Sequence, residues 1–267
     1  MKLLQLKQIE KVFYQGTPDE KKAIQGLSLT LNEGDFVTVI GSNGAGKSTL
    51  LNMVAGVLFP DEGMISIDDK NVTFVPEHKR AKWIGRVFQD PMAGTAPNMS
   101  IEENLALALG RTNKRGLRRG VSSNRKKEFQ QTLTDLNVGL ANRLHTKVGL
   151  LSGGERQALS LLMATFTEPR LLLLDEHTAA LDPARAEHIT NITQDVIREN
   201  NLTTLMVTHD MEQALQMGNR LVMMDEGQII FEANEEEKRQ MSVQDLVEKF
   251  QQIRGKALAD DKTLLHK

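Results

Sequence analysis

Residues 41–49, GSNGAGKST, match the pattern G-x-x-x-x-G-K-[ST], which holds nucleotide phosphates in many proteins. The apolar run FVTVI precedes them and a helical apolar pattern follows, so the required strand and helix flank the loop. Glycines let backbone N–H groups converge on the β- and γ-phosphates, and the helix N-terminus adds positive potential. We expect Lys47 to neutralise phosphate charge, Ser48 to ligate Mg²⁺ and Thr49 to support the phosphates. This phosphate loop consists of Gly41, Ser42, Asn43, Gly44, Ala45, Gly46, Lys47, Ser48 and Thr49.

Two adjacent carboxylates end the apolar run LLLLDE at 171–176. A carboxylate at the end of a buried strand beside a phosphate loop is placed to hold the shell of a Mg²⁺ ion, and Asp175 takes that role. Glu176 is then left to polarise a water molecule for attack on the γ-phosphate. The two residue types predict nucleotide hydrolysis as well as binding.

A second turn with phosphate-binding character is LLSGGERQ at 150–157. Its serine hydroxyl and two glycine N–H groups stand at the predicted start of a helix, which is a favourable anion site. A chain with two such turns either binds two nucleotides, or offers the second turn to a nucleotide held by another copy.

The elements that must position these residues alternate between strands and helices, which predicts a mostly parallel sheet. Antiparallel character comes from strands at the N-terminus and from an edge strand at MISIDD, residues 64–69. The first helix is expected to end at PDEG, residues 60–63. Ser100 with Glu103 predicts a capping box. Asp182 and Pro183 predict an N-cap and first helical residue, and NRLVMMDEGQIIFE predicts a hairpin that turns at DEG.

Bulk composition narrows the class of protein. The chain has 267 residues, 40% apolar and 25% charged, with a net charge of −2, which argues against a protein built around nucleic acid. It has no cysteine, and no 18 consecutive apolar residues that would span a membrane. The N-terminus lacks the apolar core of a signal peptide. A run of eight Lys or Arg without acids at 111–127 fits a solvated loop or a contact with anionic lipid headgroups.

Taken together, the motifs resemble those of ATP-binding cassette ATPases, from about Leu6 to Glu232. The resemblance is carried by the phosphate loop, VFQDP with Gln89, LSGGE at 151–155, LLLLDE, ALDP at 180–183 and VTHD with His209. It implies an α/β P-loop NTPase fold with a RecA-like, mostly parallel sheet, an antiparallel β subdomain and an inserted helical subdomain at about 92–157. Residues 1–232 would form the ATPase domain and 233–267 a polar helical extension.

The resemblance also implies roles for residues outside the first motifs. Gln89 would touch Mg²⁺ and the attacking water, and His209 would hold the γ-phosphate. Ser152, Gly153 and Gly154 would close on the ATP of the opposite subunit, and Asp182 would belong to the loop that spans the dimer. The aromatic residue that stacks on adenine is Phe13, with Tyr14 as the alternative. His177 replaces the usual proline after the Asp-Glu pair, and we assign it no catalytic role.

For partners and location, the resemblance implies a separate ATPase subunit that forms a homodimer on nucleotide binding. It would bind integral membrane permease subunits at the cytoplasmic side of the cell membrane, with an extracytoplasmic solute-binding protein. ATP and Mg²⁺ are the expected cofactors, and nucleic acid is not an expected partner. The exact residues of these motifs resemble those of ATP-binding subunits of amino-acid importers, including importers of aromatic amino acids. The alternative is a soluble cassette ATPase outside transport, such as those of iron–sulfur cluster assembly. A GTPase or kinase is disfavoured, since no N-K-x-D guanine motif occurs.

Overall fold

The computed structural model describes residues 1–111, 121–135 and 138–264 of the chain. Its strands are β1 (Lys2–Phe13), β2 (Lys21–Asn32), β3 (Phe36–Gly41), β4 (Glu62–Ile67), β5 (Lys70–Asn71), β6 (Ile84–Val87), β7 (Leu171–Asp175), β8 (Thr203–Val207), β9 (Arg220–Asp225) and β10 (Gln228–Ala233). Its helices are α1 (Lys47–Ala55), α2 (Glu77–Arg80), α3 (Ile101–Leu109), α4 (Ser123–Asp135), α5 (Gly153–Thr165), α6 (Pro183–Glu199), α7 (Met211–Gln216), α8 (Glu235–Gln240) and α9 (Val243–Leu264).

The strands form two sheets. One is antiparallel, in the order β2-β1-β4-β5, and the other has six strands in the order β10-β9-β3-β8-β7-β6. All neighbours in the second sheet are parallel except the β9–β10 hairpin. The predicted α/β class with a mostly parallel sheet and an antiparallel part is confirmed.

The six-stranded sheet separates two apolar layers. On β7, Leu171 and Leu173 pack with α1 and the antiparallel sheet, whereas Leu172 and Leu174 pack with α5 and α6. All four leucines are fully buried. This alternation follows from the two-residue period of a strand, and burial on both faces explains the unbroken apolar run.

Two further apolar clusters lie away from the sheet centre. Helices α3, α4 and α5 share one, centred on Phe129 and Leu159. The C-terminal segment contributes to the second of these clusters, in which Leu246 of α9 packs with Ala214 of α7 and Ile40 of β3. Lys238 of α8 is also buried, donates hydrogen bonds to the carbonyls of Met217 and Gly218, and has its pKa lowered to about 8 by burial.

Three sequence-based expectations for local structure are wrong. Helix α1 ends at Ala55, before PDEG, because Gly56 takes a left-handed φ of 83° and its N–H caps the carbonyls of Asn52 and Met53. Strand β4 is not an edge strand, since it pairs with β1 and with the short β5. The C-terminal extension holds two helices rather than one. Residues 112–120 of the basic run lie outside the described residues.

No helix in the described ranges combines the length and apolarity needed to cross a bilayer. The predicted capping box of α3 is present, with Ser100 and Glu103 bonding each other's backbone N–H. The N-cap of Asp182 and Pro183 at the start of α6 is present as well.

The end of α1 is held by a fully buried arginine. Arg80 donates to the carbonyls of Met53 and Val54 in the last turn of α1, and to those of Val72, Thr73 and Val75. Burial lowers its pKa to about 10, which still leaves it charged at neutral pH. A cation at a helix C-terminus interacts favourably with the helix dipole, so Arg80 stabilises the helix that carries the phosphate loop.

Arg80→Met is therefore expected to lower the free energy of unfolding by about 3 kcal/mol or more, since each buried carbonyl left without a donor costs about 1–3 kcal/mol. Urea unfolding followed by circular dichroism measures this. Lys79→Met, at the neighbouring exposed position of α2, is the control and is expected to stay within about 0.5 kcal/mol of wild type. Equal stability of the two variants would contradict the capping role of Arg80.

Candidate nucleotide site

The phosphate loop connects β3 to α1 at the carboxyl edge of the parallel strands. Gly46 caps α1 with a φ of 97°, and a side chain there would collide with the carbonyl of Ala23 at 2.4 Å. Lys47 is buried, and its ammonium donates to the carbonyls of Gly41 at 2.8 Å and Ser42 at 3.1 Å. Burial lowers the pKa of Lys47, and the negative charge of Glu176 acts in the opposite direction. The lysine thus lies inside the loop and within electrostatic reach of the predicted base.

The turn of the β9–β10 hairpin lies directly against the phosphate loop. The hydroxyl of Ser42 donates to Oδ1 of Asp225 at 2.7 Å, and the N–H of Gly227 donates to the carbonyl of Ala45 at 3.1 Å. The sequence predicted the turn but gave no sign of this contact, because the loop and the turn are about 180 residues apart in the chain.

Two of the predicted catalytic residues contact the same carboxylate oxygen of the third, Glu176. Oε2 of Glu176 lies 3.1 Å from Nδ1 of His209 and 3.4 Å from Nε2 of Gln89. They follow β7, β8 and β6, three neighbouring strands whose ends share one edge of the sheet. Glu176 has a left-handed φ of 43°, a conformation that is uncommon outside glycine and that clusters at functional sites. Its side chain is 21% exposed, so the carboxylate remains accessible to a substrate.

Asp175, the predicted metal ligand, contacts an arginine that sequence reasoning missed. Its Oδ2 lies 3.1 Å from Nη2 of Arg86, and both side chains are largely buried. Arg86 lies on β6, one strand away from β7, and this adjacency joins residues 89 positions apart. No local pattern in IGRVFQD indicated the ion pair.

The second phosphate-binding turn forms the N-terminus of α5. Ser152 and Glu155 make a complete capping box, and the carboxylate of Glu155 also pairs with Arg143 at 2.5 Å. Desolvation would raise the pKa of Glu155, but the bonds from Ser152 and Arg143 hold it below its ordinary value. A side chain on Gly153 would meet Leu181 at 3.3 Å, so this turn lies beside the loop that carries Asp182.

The two phosphate-binding turns are separated within one chain. Helix α1 packs on one face of the sheet and α5 on the other. Helix α5 packs against β6, at the end of the sheet opposite β10. The structure therefore brings Glu176, His209 and Gln89 together with Lys47 within electrostatic reach, whereas Ser152, Gly153 and Gly154 begin a helix on the opposite face of the sheet from α1. Asp182 lies between Leu181 and Pro183, which line the same cavity as Glu176 and His209.

Two polar residues hold the loop after Glu176 in place. His177 is buried, its Nε2 contacts the hydroxyl of Thr193 at 3.2 Å, and burial lowers its pKa to about 4, so it is neutral at pH 7. Gln213 of α7 donates to the hydroxyls of Thr178 and Thr190 and accepts from Thr208, the residue before His209. The loop after Glu176 and the segment that carries His209 are thereby bonded to the same helix.

The predicted adenine-stacking residues end β1. Phe13 is half-buried and pairs in register with Lys21 of β2, whereas Tyr14 is 71% exposed. The ammonium of Lys21 lies 3.7 Å from the position that a side-chain carbon on Gly44 would occupy. The register thus brings Phe13 to the side of the phosphate loop. Sequence reasoning missed Lys21, which stands among many exposed lysines in the sequence.

Comparison with known proteins gives a consistent result. The family model for ABC transporters matches residues 24–179. The chain is 40% identical over 249 residues to a tyrosine transport ATP-binding protein of Clostridioides difficile, covering 93% of this chain and 99% of that protein. It is 31% identical over 252 residues to a xylose/arabinose import ATP-binding protein of Sulfolobus acidocaldarius, covering 93% and 94%.

Solved structures with the same arrangement include ATP-binding cassettes of ABC transporters. One, in its ADP conformation, superposes with a TM-score of 0.77 at 28% identity and covers 94% of this chain and 98% of that chain. A dimeric cassette from a bacterial ABC transporter gives a TM-score of 0.75 at 26% identity, covering 87% and 99%.

Proposed function

Because the chain belongs to the ABC transporter family, we propose that Glu176, His209 and Gln89 form its hydrolytic centre and that it powers uptake of an amino acid. The protein is an ATP-binding and ATP-hydrolysing subunit, as its relatives are. The observation that carries the assignment of the centre is the contact of one Glu176 oxygen with both His209 and Gln89.

The nucleotide is held mainly by the phosphate loop. Backbone N–H groups of residues 44–49 and the N-terminus of α1 face the phosphates, and Lys47 exchanges its bonds to Gly41 and Ser42 for bonds to phosphate oxygens. Phe13 is the proposed residue that stacks on the adenine, with Tyr14 as the alternative; its support is the register with Lys21, whose ammonium lies close to Gly44. Stacking reads the face of the base and adds about 1–3 kcal/mol.

The donors available for a metal fit Mg²⁺. The hydroxyl of Ser48, the amide oxygen of Gln89 and the carboxylate of Asp175 are hard oxygen donors, which Mg²⁺ prefers together with phosphate oxygens and water. When bound, Mg²⁺ supplies charge neutralisation on the β- and γ-phosphates.

Hydrolysis begins when the Glu176 carboxylate accepts a proton from a water molecule that is aligned with the γ-phosphate. His209 donates to the same carboxylate and so orients Glu176, and it would bond a γ-phosphate oxygen. Gln89 contacts the same oxygen of Glu176 and would complete the water site.

The second turn serves a nucleotide held by another copy of the chain. Ser152, Gly153 and Gly154 lie across the sheet from their own phosphate loop, yet present an anion site at the start of α5. Asp182 lies in the loop beside them and would line the same interface. A dimer with two ATP molecules between its subunits closes on binding and reopens after hydrolysis. To change the ratio of closed to open dimers from 1:99 to 99:1, ATP must bind the closed dimer about 5.5 kcal/mol more tightly than the open one.

The partners follow from the family and from one groove. A cleft of about 430 Å³ beside Phe88, next to Gln89, is lined by Leu107, Met163 and Arg111 among others, and we assign it to a cytoplasmic helix of a membrane permease subunit. With the proposed division at 1–232 and 233–267 and helical residues at about 92–157, the helical subdomain would form one side of this cleft and residues such as Glu77 and Phe88 the other. The protein then lies on the cytoplasmic face of the membrane, with a solute-binding protein on the other side.

An aromatic amino acid is the proposed cargo, supported by the tyrosine transport relative. The alternative, a cassette ATPase outside transport, draws no support from the relatives, whose names describe transport or import.

Co-purification tests the proposed function. The tagged chain, isolated from detergent-solubilised membranes of its source organism, is expected to bring down a multi-span protein identified by mass spectrometry. Leu107→Glu, in the cleft at 37% exposure, should abolish that recovery, while Val243→Glu, outside the cleft at 40% exposure, should not. Recovery of no membrane protein with the wild-type chain would overturn the proposal.

A further inference from the structure

Arg86 connects the metal-site aspartate to the cleft. On one side its Nη2 contacts Oδ2 of Asp175 at 3.1 Å. On the other side its guanidinium carbon lies 4.6 Å from the centre of the Phe88 ring, and Arg86 lines the cleft. Its side chain is only 10% exposed. One residue therefore borders both the site for the cation and the site for the membrane subunit.

The guanidinium of Arg86 is incompletely satisfied. Its Nε is buried and has no hydrogen-bond partner among the described residues. Buried N–H groups are paired in the great majority of native structures, so an orphan of this kind calls for an acceptor that enters from elsewhere. The cleft is the open space beside it, and Arg86 and Arg111 outnumber Glu77 there. The unpartnered Nε favours an occupant that brings an acceptor oxygen.

The ion pair also opposes metal binding. A guanidinium bonded to Asp175 occupies one of the carboxylate oxygens and places a positive charge beside the site where Mg²⁺ would bind. Both effects weaken the interaction of Asp175 with a divalent cation, and the low exposure of the pair limits screening by solvent.

We propose that Arg86 restrains Asp175 and releases it when a cytoplasmic helix of the membrane subunit, offering an acceptor oxygen to Nε, fills the cleft. Arg86 is thus a positioning residue, and Asp175 becomes fully available to the metal only in the assembled transporter. The inference rests on the proposed function, since it assumes both the metal role of Asp175 and the occupant of the cleft.

Cation affinity of the full-length chain tests this without turnover. On a Glu176→Gln background with ATP present, Mn²⁺ binding is titrated by electron paramagnetic resonance. The neutral variants Arg86→Met and Arg86→Gln are expected to bind Mn²⁺ about tenfold more tightly, within the range usual for coupled sites. Arg86→Lys, which keeps the charge, should remain close to the parent chain. If Arg86→Met does not fold, Arg86→Gln carries the comparison.

Arg170→Met is the matched control. Arg170 also pairs with two carboxylates, those of Glu33 and Asp68, but it precedes β7 at the opposite end from Asp175. It should leave Mn²⁺ affinity unchanged. Thermal unfolding of each variant separates a general loss of structure from a change in the metal site.

The assembled transporter supplies the second readout. Joining the membrane subunits should lower the Mg²⁺ concentration for half-maximal hydrolysis in the wild type and leave it unchanged in Arg86→Met. Unchanged or weaker Mn²⁺ binding in both neutral variants would overturn the role of Arg86. Failure of the parent chain to bind Mn²⁺ with ATP would instead overturn the proposed metal site itself.

Discussion

Glu176→Gln is expected to lower kcat for ATP hydrolysis by roughly 10²–10⁴-fold, the usual contribution of a positioned general base. The amide keeps the size of the side chain and a contact for His209, but it cannot accept the proton of water. ATP binding should persist, since Lys47 and the phosphate loop are untouched, and the ATP-bound dimer should accumulate. Phosphate release measures turnover, and light scattering with ATP and Mg²⁺ measures the dimer.

Glu187→Gln is the control for this change. Glu187 is exposed on α6 and lines the same cavity of about 550 Å³ as Glu176, His209 and Gln213. It loses the same charge near the site but has no contact with His209 or Gln89 among those described, so turnover should stay near wild type. Hydrolysis by Glu176→Gln at close to the wild-type rate would mean that the base lies elsewhere.

Sequence patterns predicted those parts of the fold that local chemistry determines. The capping box of Ser100 and Glu103, the Asp182–Pro183 start of α6 and the buried strand β7 are present as expected. Each depends on residues within about six positions of one another, whose backbone bonding or burial the pattern itself specifies. The end of α1 was misplaced because Gly56 forms a cap that the apolar pattern running past it concealed.

Strand order explains what the sequence left out. The contacts of Arg86 with Asp175 and of Ser42 with Asp225 depend on which strands are neighbours in the sheet, and neighbours here come from distant parts of the chain. The convergence of Glu176, His209 and Gln89 was expected only through the resemblance to ATP-binding cassettes. The structure adds the distances and the left-handed backbone at Glu176, directly after the end of β7.

The charged side chains of the candidate site bond to other parts of the same chain. Lys47 bonds to its own loop, Asp175 to Arg86, and Glu176 to His209 and Gln89. In the proposed mechanism, ATP, metal and water compete with these protein partners. The phosphate loop binds ATP in each copy, and a second subunit that adds contacts to the nucleotide would favour the closed dimer over the open one.

Ser152→Arg is expected to lower turnover by 10²-fold or more, since a misplacement of about 1 Å at a reacting site can already cost that much. The long cation displaces the capping serine from the surface that would close on the γ-phosphate of the other copy. ATP binding to the monomer should remain, because α1 and α5 pack on opposite faces of the sheet. Filter binding measures the nucleotide and phosphate release measures turnover.

Ser100→Arg separates the loss of a cap from the loss of the interface. Ser100 and Ser152 are both N-caps in complete capping boxes with a glutamate three residues on. Each substitution should cost about 0.5–2 kcal/mol of stability. Only Ser152→Arg should also stop turnover. Equal loss of turnover in the two variants would assign the effect to helix capping rather than to ATP.

A mixed dimer decides whether the site is shared between copies. Ser152→Arg and Lys47→Ala are each expected to be inactive alone, one through its turn at α5 and the other through its phosphate loop. A pair made of one of each would hold one site with both lesions and one intact site, formed by the normal phosphate loop of the first chain and the normal Ser152 of the second. Mixing the two purified chains should therefore restore ATP hydrolysis or trapped nucleotide at one site per pair. If each site lay within a single chain, both would stay defective, and mixing would restore nothing.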